Sequence, residues 1–222
     1  MGLSAWIILC DFDGTISLAD VTDALLERFG QPGWRALETA WQRGEIGSRA
    51  CMAGQVALLD ADRAELDAFL DELPIDPAFP AFVTAVQEAG ISLTVVSDGI
   101  DHAIRRVLER HALGHLPVLA NRLEAHGERS WRLAFPYAVA TCSSGNCKCA
   151  VAGRAHVDRQ RVLLIGDGAS DFCVAGEADL VFAKDRLVEH CLAAAIPHRA
   201  ITGFADAIDL LPLLAGDASV AA

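Results

Sequence analysis

Three short segments, residues 5–10, 91–96 and 161–165, are continuously apolar and rich in Ile, Val and Leu. Such runs predict parallel strands covered on both faces. Each stops abruptly at polar, glycine-bearing residues: Asp11-Phe12-Asp13-Gly14, Ser97-Asp98-Gly99 and Gly166-Asp167-Gly168. Residues 180–183 read as a fourth parallel strand, and 117–135 as a short β-hairpin turning near 125–127. Between the strands, segments 78–89, 101–112 and 185–194 carry apolar residues three and four apart, the spacing of a helix. Strands alternating with helices predict an α/β fold with a Rossmann-like parallel sheet. Ligands of such sheets bind beyond the carboxyl ends of the strands. The polar strand ends therefore point to one crevice.

Residues 17–77 follow a different pattern. Four helical segments, 19–29, 33–43, 48–58 and 62–73, are separated by Gly30, Pro32, Gly44 and Gly47 and end before Pro74, Pro77 and Pro80. A small helical cap domain inserted after the first strand is expected there, with residues 1–16 and 78–222 forming the core domain. The length of 222 residues suits one main domain with an insertion better than two equal ones. Hydrophobic residues make up 53%, enough for a sizeable core. Only the weakly patterned tail, 216–222, is expected to be disordered.

Charge narrows the partners. Eighteen basic residues against 30 acidic ones leave a net charge of −12, without a Lys/Arg cluster. Such a surface repels nucleic acid and anionic membranes. It still admits a phosphate ester where a bound divalent cation reverses the local sign. No segment approaches the roughly 20 apolar residues of a membrane span, and the apolar start runs straight into Asp11 without a basic flank. Seven cysteines without a regular framework suggest reduced thiols and a cytoplasmic location. The expected partner is a small phosphorylated metabolite, and the chain is expected to act as a monomer or homodimer.

The candidate chemistry sits at the strand ends. Asp11 and Asp13 lie on one side if the chain turns as it leaves the strand, and a carboxylate is a competent nucleophile towards phosphorus when a cation suppresses repulsion. Taken alone, Asp-x-Asp-Gly is usually a turn signature, and its place after a buried strand brings the two readings level. Asp167 and Asp171, four apart, share a face if a helical turn begins there, and hard oxygen ligands of this kind suit Mg²⁺; the alternative is a capping aspartate. Ser97, with Asp98 and Gly99, offers a hydroxyl and backbone amides to phosphate oxygens before a helix. Lys148 follows a Ser- and Gly-rich loop and is either a fixed cation of the site or a solvated lysine. The spacing Cys142-x4-Cys147-x-Cys149 lacks the paired pattern of structural zinc sites, so free thiols are expected.

Four motifs in this order, Asp11-Phe12-Asp13-Gly14-Thr15, Ser97 after an apolar strand, Lys148, and Gly166-Asp167-x-x-x-Asp171, resemble those of the haloacid dehalogenase superfamily of phosphatases. A helical cap directly after the first motif resembles the subclass that includes phosphoserine phosphatase. The Cys-rich approach to Lys148, the form Gly166-Asp167-Gly168-x-Ser170-Asp171 and the run Val181-Phe182-Ala183-Lys184 are similar to the group around hydroxyketomethylthiopentenyl phosphate phosphatase of methionine salvage. The resemblance implies that Asp11 attacks phosphorus to form an aspartyl phosphate, and that Asp13 protonates the leaving oxygen and then activates water. It implies Mg²⁺ held by Asp11, the Asp13 carbonyl and Asp167, with Asp171 holding the metal's waters, and phosphate held by Ser97 and Lys148, with Asp98 and Gly99 beside them. Phosphoserine phosphatase has a cap arginine for the substrate carboxylate. Residues 52–56 here carry none, so Asp20, Arg49, Met52 and Gln55 are the candidate cap contacts. The expected activity is hydrolysis of a small phosphomonoester, with methionine-salvage intermediates foremost. Phosphotransfer, or action on phosphoserine, phosphocholine or phosphoethanolamine, is the alternative.

Overall fold

A computed structural model describes residues 5–216, so all but the first residue of the weakly patterned tail lies outside it. Seven strands form one sheet in the order β4-β3-β2-β1-β5-β6-β7. The strands are β1 (Trp6–Cys10), β2 (Ser92–Ile100), β3 (Val118–Ala125), β4 (Trp131–Ala134), β5 (Arg161–Gly166), β6 (Leu180–Ala183) and β7 (His198–Ala200). All neighbours are parallel except β3 and β4, which form the expected hairpin. Side chains of β1 and β5 are buried almost throughout, as their unbroken apolar sequence requires.

Chain order reverses across β1: the sheet grows through β2 and β3 on one side and through β5 and β6 on the other. Such a switch point opens a crevice above the strand ends. Cys10 pairs with Ile165, so the ends of β1 and β5 lie side by side. The sequence pattern put the end of the second strand before Ser97. Instead β2 continues to Ile100, with its register to β3 broken between Val96 and Ile100. Ser97-Asp98-Gly99 is thus an irregularity inside a strand, which turns polar groups towards the crevice.

Four helices occupy the segment after β1: α1 (Val21–Phe29), α2 (Trp34–Gln42), α3 (Ser48–Val56) and α4 (Arg63–Leu70). Asp20 caps α1 through Asp23 N, and Asp62 and Glu65 form a capping box on α4. The chain leaves and re-enters the core at adjacent points, since Ser17 and Ile75 form an isolated antiparallel bridge and Asp76 N donates to Ile16 O at 2.8 Å. The remaining helices are α5 (Phe79–Glu88), α6 (Asp101–Arg110), α7 (Lys148–Val157), α8 (Phe172–Ala175), α9 (Asp185–Ala193), α10 (Phe204–Leu210) and α11 (Leu213–Gly216). Phe79, Phe82 and Phe204 pack together with ring centroids 4.7–6.4 Å apart and close the core under α5 and α10. Asp67 on α4 and Asp71 just after it bind His102 and Arg106 on α6, tying the helical segment to the core. Among the described residues no helix is long and apolar enough to cross a membrane.

Candidate active site

β1 delivers Asp11 to the crevice. Its N–H donates to Ile165 O at 2.9 Å, which continues the sheet by one residue. Phe12 is wholly buried, and its carbonyl accepts from Thr15, Ile16 and Ser17 N–H, forcing a tight turn. Gly14 adopts φ +70°, and a Cβ there would stand 2.5 Å from Asp167 Oδ2. Glycine is required at this position on both grounds. The turn brings Asp13 to the side of the crevice that faces Ser97, whose hydroxyl lies 3.4 Å from Asp13 Oδ2, while Val21 N–H donates to Asp13 Oδ1 at 2.8 Å.

Asp11, Asp167 and Asp171 each offer an oxygen within 4.8 Å of the others, the only group of three such ligands among the described residues. A 3₁₀ turn over Ala169–Asp171 swings Asp171 back beneath Asp167. Thr15 Oγ1 donates to Asp167 Oδ1 at 2.9 Å. Lys148 is the first residue of α7 and is buried. Its Nζ lies 2.8 Å from Asp11 Oδ2 and 2.6 Å from Asp171 Oδ1. Ser170 Oγ donates to Asp11 Oδ2 at 3.2 Å.

One ammonium thus pairs with two of the three clustered carboxylates. Burial, followed by repulsion from Asp11, pushes Asp167 up to about 6 and Asp171 up to about 7. Burial disfavours the charged form of Lys148, but Asp11 and Asp171 outweigh it and raise its pKa. Asp13 is raised well above the carboxylate range, first by burial and then by Asp20. Hard oxygens with surplus negative charge fit a divalent cation.

A pH prediction follows. Asp167 and Asp171 titrate higher in the folded, metal-free protein than in the unfolded chain. Between about pH 4 and pH 7 the fold therefore binds more protons, and the stability due to these groups is lost as pH rises. For Asp167 the loss is on the order of 2–3 kcal/mol. Melting in EDTA should therefore fall between pH 5 and pH 7.5 by more in the native protein than in Asp167→Asn. Equal pH slopes would refute this. A divalent cation should raise the melting point most at the higher pH.

Asp98 was expected beside the phosphate, and it lines the crevice next to Ser97 and Gly99. Its Oδ1 accepts from Asn146 N at 2.9 Å and Asn121 Nδ2 at 3.1 Å, and its Oδ2 from Ser48 Oγ at 2.5 Å. The carboxylate braces the β2 irregularity against the loop before α7 and the start of α3. Arg49 was expected to touch substrate. Its guanidinium instead donates to the carbonyls of Val139, Cys142 and Ser144 at 2.6–3.2 Å. It latches α3 onto the loop that leads to Lys148. The Gly99 N–H is also engaged, donating to Ser97 Oγ at 2.9 Å, which orients that hydroxyl.

Of the other cap candidates, Met52 and Gln55 line the crevice. Gln55 Nε2 donates to Glu38 Oε2 at 3.1 Å, and Asp20 lies at the exposed rim. Arg49→Ala should raise KM for a small phosphate ester several-fold with little change in the melting point. An unchanged KM would show that the latch does not govern access.

Two residues were given no role by the sequence reading. Lys184, nearly buried, donates from Nζ to Gly14 O at 2.8 Å and fixes the turn carrying Asp13. Its signals were its place directly after β6 and its membership of the run Val181-Phe182-Ala183-Lys184. Asn146 Nδ2 binds Ser97 O and Leu119 O at 3.1 and 2.6 Å and holds the β2 irregularity open. No local pattern marks such a residue.

The crevice has a volume of about 270 Å³, near the lower end of small-ligand pockets at roughly 300–1,000 Å³. Asp11, Asp13, Ser97 and Asp167 line it from the core, and Asp20, Asp23, Glu38, Trp41, Cys51 and Met52 from the helical segment.

A family model for haloacid dehalogenase-like hydrolases matches residues 8–176, and the chain belongs to that family. It is a phosphatase of this class, a phosphoric monoester hydrolase. The chain is 30% identical over 210 residues to the 2-hydroxy-3-keto-5-methylthiopentenyl-1-phosphate phosphatase of Brevibacillus brevis, covering 92% of this chain and 94% of that one. It is 32% identical over 212 residues to the enzyme of the same name from Geobacillus kaustophilus, again covering 92% and 94%. The fold is similar to that of a substrate-bound phosphoserine phosphatase, with a TM-score of 0.72, 18% identity, and coverage of 92% of this chain and 97% of that one.

Proposed function

We propose that the chain hydrolyses the phosphate ester of a small, uncharged metabolite of the kind its relatives' names specify, a keto, methylthio-bearing C1 phosphate, with Mg²⁺ as cofactor. The observation that carries this reading is the meeting of Asp11, Asp13, Ser97 and Asp167 in one crevice, with the buried Lys148–Asp171 pair directly behind Asp11.

Asp11 attacks phosphorus as the bond to the leaving oxygen breaks, giving an aspartyl phosphate. Asp13, held protonated by its buried, acid-rich setting, gives its proton to that oxygen. The resulting carboxylate then takes a proton from water, which attacks the aspartyl phosphate and restores Asp11. Ser97 and Lys148 bind phosphoryl oxygens. Asp11, Asp167 and the Asp13 carbonyl would hold Mg²⁺, with Asp171 behind them, and the ion supplies neutralisation of the phosphate's charge. A base at Asp13 favours water as acceptor over an alcohol.

The lining bears on the leaving group. Arg186 is its one basic residue among the described residues, whereas Asp20, Asp23 and Glu38 are acidic. The carboxylate of a leaving group such as serine therefore has only Arg186 to pair with among these lining residues, and the three acids oppose it. Trp41, Cys51 and Met52 offer apolar, polarisable surface to a thioether chain. The three acids also favour a second reading, a cationic leaving group such as choline or ethanolamine.

Comparing kcat/KM for 2-hydroxy-3-keto-5-methylthiopentenyl-1-phosphate, phosphoserine, phosphocholine and phosphoethanolamine with Mg²⁺ decides between them. The keto phosphate should lead by at least about tenfold, equivalent to 1.4 kcal/mol. Preference for phosphocholine, lost in Glu38→Gln, would establish the second reading. Preference for phosphoserine would overturn both.

A further inference from the structure

Lys148 and Asp171 begin two helices that meet at the site, α7 and the turn into α8, and a second contact joins the same two starts. Cys149, the next residue after Lys148, has its Sγ 3.2 Å from that of Cys173, two residues after Asp171. Both are free thiols. Cys173 is exposed and Cys149 half-buried, whereas Cys10, Cys51, Cys147 and Cys191 are buried. Cys173 also lines a second, open cleft between residues 44–48 of the helical segment and Ser143, Ser144 and Ser170 of the core. A small oxidant therefore reaches the pair without entering the substrate crevice.

We propose that Cys149 and Cys173 are a modification site, a thiol pair that a hydroperoxide converts to a disulfide and that thereby throttles the phosphatase. The exposed Cys173 sulfur takes one oxygen from hydrogen peroxide, breaking the O–O bond and releasing water, to give a sulfenic acid. Cys149 sulfur then attacks Cys173 sulfur. An S–S bond forms, the S–O bond breaks, and the hydroxyl leaves with the Cys149 proton as a second water. Two thiols are oxidised and one peroxide is reduced to two waters.

The bond needs the sulfurs at about 2.05 Å, so they close by roughly 1 Å. Lys148 is one residue from one sulfur and Asp171 two residues from the other. The movement therefore falls on the ion pair that holds Asp11, where a displacement of about 1 Å costs on the order of 10²-fold in rate. This consequence rests on the assignment of Lys148 and Asp171 to the site; formation of the bond does not.

The test treats the full chain with stoichiometric hydrogen peroxide, blocks remaining thiols with an alkylating agent, and digests it with trypsin without reductant. The expected product is peptide 149–154 joined to peptide 162–184, two hydrogens lighter than their sum. Turnover of a generic aryl phosphate should fall at least tenfold and return with dithiothreitol. Cys173→Ser should match the untreated wild type in activity and resist peroxide. Alkylation of both thiols after treatment, a crosslink confined to Cys142 and Cys147, or a Cys173→Ser variant as sensitive as wild type would overturn the proposal. A 149–173 crosslink with undiminished turnover would overturn the throttle. Because the crosslink is read by mass, it is scored even if the aryl phosphate proves no substrate.

Discussion

Replacing Asp11 by asparagine should abolish turnover of every phosphate ester, by about 10⁴-fold or more, while leaving the fold intact. The amide keeps the shape of the carboxylate, so the β1 end and the Phe12 turn have no reason to move. It removes one of three carboxylates crowded within 4.8 Å. Repulsion from Asp11 is one of the causes raising Asp167 and Asp171, so both should titrate lower in the variant. The metal-free melting point should hold or rise. Single-turnover kinetics with an acid quench would read the chemistry directly, since wild type should accumulate phosphorylated protein and the variant none. Residual activity above about 1% would transfer the nucleophile to another group.

The second large effect is expected at Lys148, with the opposite sign for stability. Lys148→Met removes the ammonium that lies 2.8 Å from Asp11 and 2.6 Å from Asp171. Breaking a buried pair strands the remaining charge and typically costs about 3–5 kcal/mol. For a domain of this size that is roughly a 10 °C drop in melting point. The drop should be largest without a divalent cation, because the ion and the ammonium neutralise the same carboxylates. Turnover should fall by about 10²–10³-fold through loss of a preorganised charge at the phosphoryl group. Adding Asp171→Asn to Lys148→Met should restore most of the stability and none of the activity. If the single variant melts like wild type, the pair contributes little to the fold.

Much of this arrangement was legible before any coordinates. Strand β1 and β5 beyond Arg161 are apolar runs, and the acids that follow them could only sit at strand ends. Asp11 and Asp167 become neighbours because β1 and β5 are adjacent and in register, which a βα pattern with one topological switch already implies. Strand β7, with sequence His-Arg-Ala, carries no such pattern, because an edge strand need not be apolar on both faces.

What the sequence did not disclose shares a cause. Arg49 answers to backbone carbonyls some 90 residues away, and carbonyl acceptors leave no trace in side-chain sequence. Asp98 lines the crevice beside Ser97, but its partners Asn121, Asn146 and Ser48 come from three distant segments that no local pattern marks. Lys184 was visible as a residue after β6, but its acceptor is the Gly14 carbonyl, which exists as a target only once Gly14 takes its left-handed turn.

The side-by-side exit and return of the chain at Ser17 and Ile75 carries one more consequence. A segment whose two ends already touch can be lengthened, shortened or exchanged for another without stretching the scaffold beneath it. Asp11, Asp13, Lys148, Asp167 and Asp171 all lie outside the excised stretch, whereas Glu38, Trp41 and Met52 lie within it. Grafting the corresponding stretch from a relative between these two residues should shift substrate preference, provided the graft keeps the contacts that Ser48 and Arg49 make to the core.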